Sequence, residues 1–202
     1  MLVVDHLAVA AASLDEGVAA VEAALGVTLA GGGSHAHMGT HNRLLGLGDL
    51  YLEVIAVDPR AVAPAWPRWF DLDRFAGVPR LTNWVARCDD IGAEVAMGPA
   101  GVGVPVRLAR GDYRWQMAVP TNGILPFDGC FPALIQWAGD LHPARALPDA
   151  GVRLIRLTLR HPRGDALRDS LARRMCDDRI AVETGPLALH AAFRTARGER
   201  AL

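Results

Sequence analysis

The sequence contains no lysine: all 21 of its basic residues are arginine, set against 22 acidic residues for a formal charge of -1. Beside so much Ala and Gly, this reads as genome bias and carries no functional weight. The near-balance leaves no basic footprint for nucleic acid or for an anionic membrane surface. Small molecules are therefore the expected partners. Cysteine is scarce. Cys88, Cys130 and Cys176 are odd in number, widely spaced and never in a C-x-x-C pair, which argues against a disulfide framework and a zinc knuckle and points to a reducing cytoplasm. No apolar run is long enough to span a bilayer, and the start, MLVVDHLAVAAASLDEG, lacks the basic region of a signal peptide. There is no G-x-S-x-G elbow. Gly31-Gly32-Gly33 follows a helix pattern instead of leading from a strand into one, the wrong context for a dinucleotide loop.

What is present is a 51% hydrophobic chain of 202 residues, enough for a substantial core. Val3 to Ala10 reads as a strand that is apolar on both faces. Ser13 with Glu16 forms a capping box, Val18, Val21 and Leu25 share a helical face, and Gly26 closes the helix. Two strands follow, His41 to Leu47 and Leu50 to Val57, separated by the Gly48-Asp49 turn. The same order then returns. Leu81 to Arg87 is strand-like, Asp90 caps a short helix, and Val106 to Ala109, Tyr113 to Val119 and Phe131 to Trp137 read as strands. A third, shorter copy has a strand over Val152 to Leu159, a helix capped by Asp165 and carrying Leu167, Leu171 and Met175, and extended runs Ile180 to Glu183 and Leu187 to Arg194. The fold class is α+β, built from repeated β-α-β-β-β modules that enclose a cleft. Residues 1–140 form two modules, about 1–58 and 80–138, and residues 150–202 a partial third packed on them. The Pro- and Gly-rich segments Asp58 to Arg80 and Ala138 to Gly151 read as linkers.

The string Val4-Asp5-His6-Leu7-Ala8-Val9-Ala10, the capping box, Gly39-Thr40-His41-Asn42-Arg43-Leu44-Leu45 and Tyr51-Leu52-Glu53-Val54-Ile55 together resemble a glyoxalase-like domain of the vicinal oxygen chelate superfamily. The likeness continues through Trp69-Phe70, Arg110-Gly111-Asp112, Leu125-Pro126-Phe127-Asp128-Gly129 and Ile135-Gln136-Trp137, covering most of residues 2 to 140. The resemblance implies paired modules around a cleft in which a divalent metal (Zn, Fe, Ni or Mn) is held by first- and last-strand residues, here His6 and Glu53. It also admits a homodimer. Aligning Ser13 with Asp90, 77 positions on, carries His6 to Asn83, while Tyr51-Leu52-Glu53 is matched to Leu134-Ile135-Gln136. The second module thus offers neutral amides, which are weak metal donors.

A third ligand is sought nearby, and His6, His41 and Glu53 compose a two-histidine, one-carboxylate set. A lone strand histidine is ordinarily satisfied by a backbone carbonyl. Here His6 is expected to share its face with Val4 and Ala8, and Glu53 its face with Tyr51 and Ile55, and a carboxylate in so apolar a strand needs a partner. One of His41 and Asn42 should enter the cleft; strand periodicity does not say which. His35 and His37 read as bystanders in a glycine-rich loop. Arg114 alternates with Trp115, so one of the two faces the cleft to contact substrate, whereas Arg110 reads as a surface ion pair. Trp66 and Trp69 read as a hydrophobic plug between modules, and His142, His161 and His190 as surface or strand-end residues.

The functional expectation is a metal-dependent lyase, isomerase or dioxygenase acting on a small molecule with neighbouring oxygens. Glu53 would move a proton or ligate the metal, and Asn42, Asn83, Arg114, Trp115 and Gln136 would contact substrate. The alternative is a metal-free protein that sequesters a small molecule in the same cleft. A third reading is a structural module whose cleft is closed by Trp66, Trp69 and Phe70.

Overall fold

The computed structural model describes all 202 residues. Strand β1 (Val3–Ala10) leads into helix α1 (Leu14–Leu25), whose first turn is capped by the Ser13 hydroxyl accepting from the Glu16 amide and whose end is turned by Gly26 in the left-handed region. A short β2 (Ser34–His35) precedes β3 (Thr40–Gly46) and β4 (Tyr51–Val57). The second module repeats the order with β5 (Arg80–Arg87), α2 (Ile91–Met97), β6 (Val104–Arg110), β7 (Tyr113–Val119) and β8 (Ala133–Trp137). All eight strands form one sheet in the order β2-β3-β4-β1-β5-β8-β7-β6. The two first strands, β1 and β5, pair antiparallel at its centre, and each pairs in parallel with its own module's last strand, β4 or β8.

A single-turn helix α3 (Pro143–Ala146) links to the remaining strands. β9 (Arg153–His161), α4 (Gly164–Ala172), β10 (Ile180–Thr184), β11 (Ala188–Thr195) and β12 (Gly198–Ala201) follow, and their strands form a separate sheet in the order β10-β9-β11-β12. The third unit ends on a strand beyond the sequence expectation, β12, and its helix differs in two details. Asp165 lies inside the first turn of α4 and does not cap it, because Arg163 holds the cap position. Met175 lies beyond the helix end and bridges to Leu2.

The large sheet has two unlike faces. Its outer face, with Val4, Leu7, Leu52, Val54, Trp84 and Leu134, shares one core with α1, α4 and Leu157, Leu159 and Phe193 of the small sheet. Its inner face, with Ala8, Ile55, Val85, Trp115, Ala133 and Ile135, is filled by Trp69, Phe70 and Leu72 from the linker. Trp69 and Phe70 therefore enter the cleft as a plug, while Trp66 stays 45% exposed.

Packing on the outer face is tight enough to decide a residue type. A Cβ on Gly17 of α1 would stand 2.5 Å from Val54 Cγ1 and 2.7 Å from Ala11 Cβ, whereas Gly92 in α2 has its nearest neighbour at 3.4 Å. Gly17→Ala is thus expected to lower stability by about 1–3 kcal/mol through overpacking. Gly92→Ala should raise it by up to about 1 kcal/mol through helix propensity. Thermal unfolding of the two variants should move in opposite directions, at about 2–4 °C per kcal/mol for a chain of this size.

Candidate functional site

The site begins with one extra residue in β1. Val4 pairs with Ala86 and His6 with Val85, so Asp5 has no opposite number and forms a bulge. Strict alternation would put Val4 and His6 on one face. The bulge resets the count, so that Val4 stays in the outer core while His6 joins Ala8 on the inner face beside Asp5. The expected sharing of a face by His6 and Val4 is corrected accordingly. The His6 ring lies parallel to that of Tyr51, its partner in β4, with centroids 4.4 Å apart.

Asp5 is fully buried and accepts from three donors: His6 Nδ1 at 2.6 Å, His142 Nε2 at 2.9 Å and Trp137 Nε1 at 3.0 Å. On its other side His6 Nε2 stands 3.6 Å from Glu53 Oε2. Glu53 shares the inner face with Tyr51 and Ile55, and its Oε1 accepts from the Asn42 amide at 2.5 Å. Burial alone would push the His6 pKa down and both carboxylates up. The hydrogen bonds and opposite charges outweigh it, raising His6 to about 9, lowering Glu53 to about 2 and holding Asp5 far below the carboxylate range. His6 is an imidazolium shared by two carboxylates.

β3 settles the choice between His41 and Asn42. Asn42 pairs with Ile55 and faces inward, whereas His41 pairs with Ala56 of the outer core. His41 is therefore not brought to His6 and Glu53, and the set of those three is not assembled. His35 takes the inner position instead. It is buried, its Nδ1 lies 3.0 Å from the Thr40 hydroxyl, and its Nε2 lies 4.0 Å from Glu53 Oε1. The signal that would have found it is the two-residue pairing of Ser34-His35 with Thr40-His41, which a glycine-rich stretch conceals.

The rim closes where the edge strands β2 and β6 meet. Arg110, at the end of β6, donates to His35 Nε2 and to Asn42 Oδ1, both at 3.2 Å. Its guanidinium has no carboxylate partner, so the expected surface ion pair is absent. With Arg110 donating, His35 Nε2 accepts and the ring is neutral, in line with burial pushing its pKa down to about 4. Arg110 separates an outer pocket of about 490 Å³, lined by Gly31–Gly33, Tyr113 and Leu141, from an inner void of about 30 Å³. That void is lined by His6, His35, Asn42, Glu53, Trp69 and Trp115 among others. It has room for about one water.

The remaining sequence candidates divide. Trp115 is buried and lines the void. Arg114 points outward, donating to the carbonyls of Gly111 and Tyr113. Gln136 lies off the inner face, accepting from the Ile91 amide and donating to the Asp89 carbonyl at the start of α2. The register supplies the reason. The pairs His6–Val85 and Ala8–Asn83 are related by the 77-residue interval, so Asn83 does correspond to His6, but Ala8 pairs with Glu53 and Val85 with Ala133. The counterpart of Glu53 is Ala133, not Gln136. Asn83 lines a different cavity. His142, expected at the surface, is a partner of Asp5, and His161 is buried.

These residues do not fit a divalent metal. Both nitrogens of His6 face carboxylates, Asn42 holds one Glu53 oxygen, and the Arg110 cation stands on His35 Nε2. The other module supplies no donor at Ala133, and no three His, Cys, Asp or Glu side chains are grouped to hold an ion.

The charge state can be checked directly. His6 is expected to remain protonated at pH 7.5 while His35 stays neutral, read from ring nitrogen shifts by NMR. Stability follows the same shifts. The His6 contribution is complete below pH 6.5 and lost as pH rises toward 9, that of Glu53 is lost as pH falls from 4.5 toward 2, and neutral His35 costs stability as pH falls from 6.5 toward 4. Urea unfolding should thus show a decline on the order of 1–3 kcal/mol between pH 6.5 and 8.5 that His6→Gln abolishes.

Residues 4–175 match the model of the glyoxalase-like domain. A hypothetical protein from Staphylococcus aureus shares the fold at a TM-score of 0.59, with 14% identity over 93% of this chain and 87% of that one. A methylmalonyl-CoA epimerase from Streptomyces coelicolor, solved with 2-nitronate-propionyl-CoA, matches 70% of this chain and 98% of its own at 18% identity and a TM-score of 0.45. The epimerase from Mycobacterium tuberculosis matches 66% and 85% at 18% identity and 0.42. No curated protein matches the chain. With 172 of its 202 residues spanned by the family model, the chain belongs to the glyoxalase-like domain family of the vicinal oxygen chelate superfamily.

Proposed function

We propose that this protein binds a small oxygenated carboxylate at the mouth of its cleft, without a metal, and that Arg110 is the anchor. The observation that carries this reading is a cation in the cleft with no carboxylate in direct contact. Asp5, His6 and Glu53 are paired with one another inside the sheet, whereas Arg110 rests directly on two neutral acceptors and faces a pocket large enough for a ligand. A guanidinium so placed offers its free N–H groups as a planar fork to a carboxylate. Trp69 lines the inner void with its indole N–H buried and unpartnered, a donor suited to a second ligand oxygen once Arg110 swings outward.

A second reading is favoured by the pair behind Arg110. Imidazolium His6 and carboxylate Glu53 form a buried acid and base that would serve an isomerase or lyase moving a proton beside a carbonyl. A metal-dependent lyase, isomerase or dioxygenase would require an ion to displace Arg110 from His35.

Calorimetric titration with oxalate, pyruvate and malonate tests the anchor. At least one should bind, and Arg110→Met should weaken it about 10- to 100-fold, as expected for a lost charge-assisted hydrogen bond, while Arg114→Met leaves it unchanged. Metal content of protein purified without chelator is the second arm. A stoichiometric metal that His6→Ala removes would sink the metal-free reading. Proton exchange at the α-carbon of a bound ligand in deuterated buffer, lost in Glu53→Gln, would promote the catalytic one.

A further inference from the structure

The bulge at Asp5 has a twin. On β5, Asn83 pairs with Ala8 and Leu81 with Val9, leaving Thr82 as the extra residue. The 77-residue interval that relates His6 to Asn83 also relates Asp5 to Thr82, so each module carries the same bulged dipeptide at the sheet centre. In the first module the dipeptide is Asp-His and its groups are satisfied. In the second it is Thr-Asn. The Thr82 hydroxyl is buried with no hydrogen-bond partner, and Asn83 beside it is 4% exposed.

Both line a cavity of about 800 Å³, the size of an ordinary ligand pocket. Its walls are largely apolar: Val9 of β1, Val21 of α1, Leu125, Leu187 in the turn before β11, and Leu189 of β11. Phe70 lies between this cavity and the void at His6, lining both. Two loops that frame it repeat the dipeptide Phe-Asp, at Phe70-Asp71 and Phe127-Asp128, and all four residues hold left-handed φ of 52–57°. These are the chain's only non-glycine residues of positive φ, and strain of this kind collects where ligands bind. At the rim, Arg80 lies over the Phe75 ring and donates only to the carbonyls of Ala76 and Val78.

We propose that this cavity is a ligand site distinct from the cleft mouth, taking a carboxylic acid with an apolar body. The head group meets Thr82 and Asn83, with Arg80 supplying the positive charge, and the body lies against the small sheet. The C-terminal module thereby contributes to binding, since β11 is one wall of the site. Asp71 does not compete for the anion, since Arg74 holds it at 2.7 Å.

Decanoate is the probe. Calorimetry on the full chain should show saturable binding of one molecule. Thr82→Val removes the unpartnered hydroxyl at constant shape, so it should raise the melting temperature of the free protein while weakening decanoate at least tenfold. Ala188→Trp, which fills the cavity from β11, should abolish binding, and Arg110→Met should leave it intact. The proposal fails if decanoate does not bind, or if Arg110→Met removes binding that Thr82→Val and Ala188→Trp preserve. Failure of the oxalate, pyruvate and malonate titrations alone would leave it standing.

Discussion

One inserted residue in a central strand decides what this sheet can hold. A regular β1 would send Asp5 and His6 to opposite faces, and one of two adjacent polar groups would then lie in the outer core among Leu7, Leu52 and Trp84. The bulge turns both inward at once. It gives Asp5 its place against His6 Nδ1, and that contact leaves His6 Nε2 pointing at Glu53. Everything else in the site arranges itself around this line of charges. Asn42 and His35 settle on Glu53, and Trp137 and His142 settle on Asp5 from the far module and from the linker after it.

The line also explains why the cleft is shut. Buried ions are tolerated only when each has a close partner and its remaining lone pairs are hydrogen-bonded. Meeting that condition for two carboxylates and an imidazolium uses nearly every polar group on the inner face of the first module, and leaves a void of about 30 Å³. Arg110 completes the arrangement from the opposite sheet edge, joining β6 to β2, so the charge balance of the site and the closure of the sheet are one interaction. Such a cation does locally what a metal would otherwise do. It also makes the first module a poor host for one.

Much of this was legible in the residues. The two-module order, the capped α1 and the company of His6 with Glu53 follow from local chemistry: a capping serine, alternating apolar runs, and a carboxylate with no place in an apolar strand. What escaped depended on register. The bulge at Asp5 is invisible to periodicity, and strict alternation therefore gives Val4 and His6 one face. The likeness of Leu-Ile-Gln to Tyr-Leu-Glu points to Gln136 as the match of Glu53, yet the pairing of Val85 with Ala133 shifts the second module by three residues. A strand is ordinarily a firmer base for a ligand than a glycine-rich loop, which favours His41 over His35 on sequence grounds. The loop contains a two-residue strand, and strand parity turns His41 away.

The two halves of the molecule therefore share a backbone device and differ in what it presents, and the difference is one of solvation. A charged pair such as Asp-His must be paired and enclosed before the sheet can fold around it, so the void beside it is only about 30 Å³. A hydroxyl is less costly to leave unpaired, on the order of 1–3 kcal/mol. The chain can carry that cost at Thr82, with Asn83 beside it, while the neighbouring cavity stays open. An incoming head group that bonds to them regains it. The half whose bulge presents uncharged groups is, for that reason, the half with the larger cavity.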